Sequence, residues 1–437
     1  MNIQSVKGTR DFYPEDMARR NFIADLWKKV SIRNGFVEYD GPIFEYLAMY
    51  QQKSGDEIAS QLFAFEDRGG RMLAIRPEIT PTLARMVNQR INALPKPIKW
   101  FSVPRLCRAE RPQKGRLREF FQWNIDIIGE DSVLADAEVI LTAVDYLREV
   151  GLTSNDIKVK ISSRKLLAAI LRGIGVPEEK LNSVYVILDK FTKLPADTFS
   201  SLLTEQVGSE LAGQIIEFMG KSFNNLLTTT KQNKEIEDAL AELANCRHCL
   251  EEMGIGNYCV FDQSIVRGLA YYTGIVFEIH DIQGDLRAIC GGGRYDNLLH
   301  DFGGPKVSAT GMGMGDCVLE ILLREKGLLD KNISANSCDY FIIPINYSYF
   351  DASISLTAKL RQKGFKSIFS YKTAGFKRDE SPVLSKLLKE ASAVGAAKCI
   401  IIGDEYQTGQ LVVKNMTDGS QQNIAEKDFF DGLRQQR

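Results

Sequence analysis

Residues Arg108 to Asp126 read RAERPQKGRLREFFQWNID. Arg108, Arg111, Lys114, Arg116 and Arg118 fall within eleven residues, around the breaker cluster Pro112-Gln-Lys-Gly115. The flanks FSVPRLC and EFFQWNIDII are apolar and β-prone, with Val, Ile, Phe and Trp. The pattern predicts strand, basic loop, strand, with the Arg groups held on a sheet and aimed into one place. Guanidinium forks match phosphate oxygens two at a time. A polyphosphate is therefore the natural ligand; the plainer alternative is a solvated basic hairpin.

Working outward, the chain has 437 residues, too long for one ordinary core, so two or three domains are expected. With 44% hydrophobic and 25% charged residues it has the composition of a soluble globular protein. The formal net charge of -1 excludes a polycation, so any nucleic-acid contact must come from local patches. No apolar run approaches the ~20 residues that span a bilayer. The opening MNIQSVKGTRDFYPED has no apolar secretory core. Cys246 and Cys249 form a lone C-x-x-C around His248, weak as a zinc site without a second ligand pair. A reduced, cytoplasmic protein with no metal ligands of its own is the expectation.

In chain order, KGTRDFYP (7–14) is irregular, and Asp16 to Asn34 reads as an amphipathic helix with Phe22, Leu26 and Val30 on one face, closed by Gly35. FVEYDGPIFEYLAMY follows as an extended segment, and Pro42 suits an edge strand. Gln61 to Thr80 reads as a hairpin that turns at Arg68-Gly69-Gly70. Glu78 and Thr80 at its end could face one side and hold an amino group; alternatively Pro77 and Glu78 open a helix.

After the basic stretch, a helix is expected over Ser132 to Val150 and a short strand over Ile157 to Ile161. Residues 164 to about 253 are almost wholly helix-like and interrupt a β-rich pattern, as an insertion would. RGLAYYTGIVFEIH (267–280) and the Gly-rich CGGGRYDNLL (290–299) follow, the latter read as a loop that lets backbone approach a ligand. Gly311-Met-Gly-Met-Gly315 opens an apolar helix in strand-to-helix position. Lys326 to Ser337 reads as a linker. From Cys338 strand and helix alternate, as in a small α/β domain with a mainly parallel sheet and no nucleophile or phosphate loop.

Together these strings resemble the histidyl-tRNA synthetases, a family of class II aminoacyl-tRNA synthetases, in order and over nearly the whole chain. KGTRDFYP looks like the family's N-terminal signature, the first helix and the Pro42 segment like its dimer-forming motif 1, and RPEIT like R-P-E-x-T. The Arg108–Asp126 stretch looks like motif 2, and RGLAYYTG and GGGRYD like the two histidine-specific signatures. The resemblance implies a multidomain α/β and α+β architecture: an antiparallel-sheet catalytic core over 1–325 with a helical insertion at about 164–253, a linker over 326–337, and an anticodon-binding α/β domain over 338–437.

It also implies a histidine–tRNA ligase that uses ATP and Mg²⁺, acts on L-histidine and tRNA(His), and works as a cytoplasmic homodimer. Arg108 and Arg267 correspond to the arginines at the ATP α-phosphate. Glu110 and Arg116 correspond to groups on adenine and the outer phosphates, and Phe120 to the ring under adenine. Glu78, Thr80, Gln122 and Asp126 resemble the groups that hold the substrate amino group and imidazole, with Tyr271, Tyr272 and Tyr295 around them. On the final domain Lys359, Arg361, Lys363, Lys366, Lys372, Lys377 and Arg378 could meet tRNA phosphates.

Two positions depart from the family. Val318 stands where many class II enzymes carry an Arg for the γ-phosphate, and Ala270 stands where the family often has Asp. The alternative reading is a non-catalytic, synthetase-like regulatory subunit of histidine biosynthesis.

Overall fold

The structure is a computed structural model and describes residues 3–51, 61–191, 194–220, 233–267, 271–284, 286–330, 338–372 and 383–435. The chain forms two compact units, Met1–Asn332 and Ile333–Arg437.

The first unit is built on nine strands: β1 (Val37–Glu38), β5 (Ile98–Ser102), β6 (Arg105–Cys107), β7 (Glu119–Ile128), β8 (Ile157–Ser163), β9 (Cys259–Phe261), β10 (Ile275–Asp281), β11 (Cys290–Arg294) and β12 (Ala309–Gly315). Their order is β1-β5-β7-β12-β11-β10-β8-β9, with β6 paired to β7. All pairs are antiparallel except β1 with β5 and β8 with β9. A separate three-stranded sheet holds β2 (Phe44–Tyr46), β3 (Phe63–Glu66) and β4 (Met72–Ile75).

One face of the large sheet is apolar and carries the core. Along β7 side chains alternate, so Phe121, Trp123, Ile125 and Ile127 are buried on one face. Trp123 stacks on Trp27 at 6.2 Å and meets Tyr146 at 5.6 Å. Trp27 belongs to the helix Pro14–Arg33, Tyr146 to the helix Val133–Glu149. The buried stripe of the first helix is Ile23, Trp27 and Val30, one residue beyond the Phe22–Leu26 line, because the sheet presents Trp123 there.

Arg294 pins β11 to the same layer. Its guanidinium meets Asp136 at 2.6 Å, both side chains almost fully buried, and it also donates to the carbonyl oxygens of Glu130 and Ser132. The buried guanidinium is tolerated because it meets a carboxylate and its remaining donors find oxygen acceptors.

Several local expectations change. Leu47–Gln51 is a helix, not a continuation of the extended segment. The return strand β4 stops at Ile75, and Thr80 begins the helix Thr80–Arg90 with Pro81 in its first turn, so Glu78 and Thr80 stand at a helix start and not at a strand end. Both glycine runs are strands: CGGGR is β11 and ATGMGMG is β12, paired in the middle of the sheet with Gly291 opposite Gly313 and Gly293 opposite Gly311. Among the described residues between β8 and β9 the regular elements are all helices, among them Arg164–Ile174, Leu181–Leu188, Ala196–Val207, Ser209–Gly220 and Lys234–Glu252. Lys326 and Leu329 pack within the first unit, Lys326 on Asp156 at 2.7 Å and Leu329 fully buried. The rest of the expected linker from residue 331, Ala270, Lys377 and Arg378 lie outside the described residues.

The second unit is a five-stranded sheet in the order β14 (Ser367–Phe369), β13 (Cys338–Pro344), β15 (Ala396–Ile402), β16 (Gln410–Asn415), β17 (Gln421–Ala425). β14, β13 and β15 are parallel, whereas β16 and β17 form an antiparallel hairpin, so the sheet is mixed and not mainly parallel. Helices cover both faces: Phe350–Gln362 and Glu426–Gln435 over one, Leu384–Ala393 over the other.

Candidate active site

The polar face of β7 points into a cleft of about 1460 Å³ in the first unit. Phe120, Gln122, Asn124 and Asp126 line it, at every second residue of one strand. All the remaining residues expected at a site line it too: Glu78, Thr80, Arg108, Glu110, Arg116, Arg267, Tyr271, Tyr272 and Tyr295. The helical insertion contributes Val186, Asp189 and Lys190 to the same wall.

The floor is backbone. A Cβ placed on Gly311 would stand 2.2 Å from Asp126 Oδ1, one on Gly313 2.9 Å from Gln122, and one on Gly291 2.0 Å from Arg267 Nη1. Glycine in β11 and β12 therefore lets three polar side chains lie flat over the sheet.

At one place on this floor Asp126 is buried. Tyr295 donates to its Oδ1, and its Oδ2 has no hydrogen-bond partner. Burial pushes its pKa up to about 7, although the Tyr295 hydrogen bond pulls the other way. Tyr271 packs edge-on to Tyr295 at 5.9 Å and against Tyr272 at 4.9 Å, giving an aromatic wall. Glu78 is buried nearby, close enough to raise the Tyr271 phenol after burial and Tyr272 have done most of that.

The basic loop has the strand–loop–strand form expected, with β6 on β7. Arg108 lies over the Phe120 ring at 5.2 Å, and its Nε donates to the Pro77 carbonyl oxygen at 3.0 Å. Arg116 forms an ion pair with the buried Glu110, whose Oε1 has no hydrogen-bond partner. The loop tip closes through paired backbone hydrogen bonds between Gln113 and Arg116. KGTRDFYP is held beside it: Arg10 pairs with Asp316 at 2.5 Å, and the Gly8 carbonyl oxygen accepts from Arg118 N at 2.8 Å.

Arg267 takes a left-handed backbone conformation, φ 61°, which only a tightly determined non-glycine residue adopts. Its Nη1 meets Glu278 Oε1 at 2.8 Å and its Nη2 lies 3.4 Å from the Tyr272 hydroxyl. The arginine is thus paired with a carboxylate and also lines the cleft. Glu278, though partly buried, is held down to about 2: burial opposes the charge, but His280 and Arg267 outweigh it. Glu278 and His280 escaped the sequence reading. The signal was present, since both are polar at alternate positions of the otherwise apolar strand IVFEIHD.

This cleft combines a buried carboxylate with one open oxygen, an aromatic wall, and four arginines, Arg108, Arg116, Arg267 and Arg287. It suits a small amphipathic molecule with an N–H group beside a polyphosphate. Comparison with known proteins agrees. Residues 8–315 match the family model described as histidyl-tRNA synthetase, and residues 339–436 the anticodon binding domain. A chloroplastic/mitochondrial histidine–tRNA ligase of Arabidopsis thaliana is 38% identical over 98% of this chain and 86% of its own. A histidine–tRNA ligase of Opitutus terrae is 38% identical over 98% of each chain. Among solved structures, the histidyl-tRNA synthetase from Nostoc superposes with a TM-score of 0.82 at 23% identity, covering 100% of both chains. A Bacillus halodurans protein described as an ATP phosphoribosyltransferase regulatory subunit/histidyl-tRNA synthetase gives 0.73 at 22% identity over 91% of this chain and 97% of its own, a likeness of fold. On sequence, cleft and fold together, the chain belongs to the histidyl-tRNA synthetase family.

Proposed function

We propose that this protein is a histidine–tRNA ligase: it activates L-histidine with ATP to histidyl-adenylate, releases pyrophosphate, and passes the histidyl group to the 3′ end of tRNA(His). The observation that carries this reading is Asp126, buried on the glycine floor with Tyr295 on one oxygen and the other oxygen open. Such an acid takes a ring N–H of imidazole. Glu78, Thr80 and Gln122 hold the amino group, and Tyr271 and Tyr272 enclose the ring. The histidine carboxylate is then left to face the basic side of the cleft.

There Phe120 supports adenine, with Glu110 and Arg116 around the nucleotide. Arg108 and Arg267 sit at the α-phosphate. A carboxylate oxygen bonds to the α-phosphorus while the bond to the bridging oxygen breaks, and pyrophosphate leaves with the electron pair. Charge rises on phosphate oxygens, and fixed guanidinium donors stabilise it without reorganising. No nucleophile from the protein is required. Mg²⁺, if bound, would supply positive charge to the phosphate oxygens, and the buried Glu110, whose Oε1 has no hydrogen-bond partner, is the carboxylate of the basic loop that would help to hold it.

The second unit takes up the tRNA. Lys366 is exposed; Lys359 and Lys372 are paired with Glu426 and Glu390 on its surface, and Arg361 donates to the Ser367 carbonyl oxygen. The active form is a homodimer joined through the exposed apolar face of the three-stranded sheet, where Phe44, Tyr46 and Phe65 lie open. All eight cysteines are free, which suits the reducing cytoplasm, and no described helix is long and apolar enough to cross a membrane. The regulatory-subunit alternative has only Val318 in its favour. The deciding experiment is histidine-dependent ATP–pyrophosphate exchange on purified protein: robust exchange with histidine is expected, and none in an ATP-binding, folded protein refutes the ligase reading.

A further inference from the structure

Val318 puts a neutral side chain where the cleft meets the basic loop, in a cleft lined by Lys158, Lys160 and Lys190 as well as by arginines. The residue is buried, lines the cleft, and lies against the basic loop: a Cβ on Gly115 would be 3.0 Å from its Cγ2. The cations already placed there are committed in part to carboxylates, Arg116 to Glu110 and Arg267 to Glu278. ATP brings roughly four negative charges, and most of them reside on the two outer phosphates.

Arg287 meets the same loop tip. It stands on the segment between β10 and β11, lines the cleft, and is exposed to solvent. Its Nη2 donates to Oε1 of Gln113 at 2.7 Å. Gln113 is in turn bonded through its backbone to Arg116, at 2.9 and 3.0 Å. Gly115, which touches Val318, lies between those two residues. Arg287 and Val318 therefore bracket one four-residue turn. Among the described residues Arg287 makes that single side-chain hydrogen bond, to a neutral amide, and no ion pair. No carboxylate among the described residues pairs with it, and its remaining N–H donors can turn to the cleft.

We propose that Arg287 is a binding residue for the β- and γ-phosphates of ATP, the cation that serves this cleft in place of an arginine at position 318. The proposal rests on the ligase reading, since it takes ATP as the polyphosphate. Gln113 holds the guanidinium over the loop tip, and the fork engages phosphate oxygens two at a time beside Arg116. The contact forms with the outer phosphates and not with the nucleoside monophosphate part, so it separates ATP from AMP.

The test uses the full-length protein with ATP and AMP as probes in isothermal titration calorimetry, together with the KM for ATP and for histidine in pyrophosphate exchange. In Arg287→Ala the Kd and KM for ATP are expected to rise about 10- to 100-fold, as for loss of a charge-assisted hydrogen-bonding pair. AMP affinity and the KM for histidine should stay within about twofold of the unmodified protein. Arg287→Lys should fall between, keeping the charge and losing the fork. Gln113→Ala, which frees the guanidinium without removing it, should weaken ATP far less than Arg287→Ala. Unchanged ATP affinity in Arg287→Ala overturns the proposal. So does an equal loss for ATP and AMP, or an equal effect of Gln113→Ala, because Arg287 would then only brace the loop. The titrations need no histidine, so they read this contact even where exchange by the unmodified protein refutes the ligase reading.

Discussion

Tyr295 hydrogen-bonds Oδ1 of Asp126 at 2.5 Å, while Oδ2 of the same carboxylate stays without a partner. Burial lifts this acid to about 7, with the tyrosine pulling against it. In the unfolded chain it titrates near 3.9. Between these values the native state binds more protons than the unfolded state, so stability falls as pH rises from about 4, and the whole loss is present above about 7. The unliganded enzyme accepts a destabilising charge at neutral pH. Asp126→Asn should then raise the thermal midpoint at pH 8, by at most about 4 kcal/mol of stability, and should converge on the parent protein near pH 4. Calorimetry at a series of pH values checks this; a gap that widens toward acid contradicts it.

The same open oxygen sets the choice of amino acid. A site built to hydrogen-bond a substrate N–H rejects analogues that lack it by ~10⁴ or more. Exchange should be fast with histidine and lower by about that factor with phenylalanine and glutamine. Comparable turnover with either would remove the imidazole from the account.

Arg267 both lines the cleft and pairs with Glu278. Loss of one preorganised donor typically costs ~10²–10³ in turnover, or roughly 3–4 kcal/mol. Arg267→His should slow exchange by that amount with little change in histidine affinity or thermal midpoint, and Arg267→Lys should recover part of it. Glu278→Gln keeps the arginine but weakens its hold at 2.8 Å; turnover should drop about tenfold with KM values nearly fixed. Near-normal turnover for Arg267→His would make the Glu278 pair purely structural.

Removing everything after Asn332 deletes one compact unit and leaves the cleft whole, since its lining ends at Val318. Amino-acid activation should survive and tRNA charging should weaken sharply, with a raised Michaelis constant for tRNA. An unchanged constant for tRNA in the shortened protein would deny the second unit its role.

The exposed apolar face of the small sheet can be tested by charge. Phe44 is 48% exposed and meets the Phe65 ring at 6.3 Å. Sedimentation should find a dimer at micromolar concentration, and Phe44→Glu should shift it toward a 49.0 kDa monomer. A parent protein that sediments only as monomer would refute the interface.

Much of this was legible in the amino acids. The arginine-rich stretch announced itself as strand, loop, strand because its flanks are β-branched and aromatic and its centre is Pro, Gln, Lys and Gly. Asp126 was marked only through the family resemblance, as one of the groups that hold the amino group and imidazole. The glycine strands could not be read, since glycine has low strand propensity and gives no alternation to count. Only pairing with β7 and β10 makes CGGGR and ATGMGMG extended. The helix start at Thr80 was the favoured half of an open choice, because Pro77 and Glu78 suit a first turn, and the structure bears it out. Glu278 and His280 stood out as polar residues at alternate positions of β10, but an acid there looks the same whether it binds an arginine or faces water.

The pairing of β7 with β12 has a consequence for how the protein is made. Gln122 to Asp126 face their partners Gly315 to Gly311 across the sheet, yet the helical insertion and strands β8 to β11 are synthesised between them. A nascent chain that has emerged as far as the basic loop carries arginines but no floor to hold a substrate. Those arginines and the β12-facing edge of β7 wait without their neighbours until the last glycines leave the ribosome, the situation in which long-range strand pairing is slow and exposed edges aggregate. Catalytic competence thus appears late and all at once during translation, and no N-terminal fragment that stops short of Gly315 can contain the site.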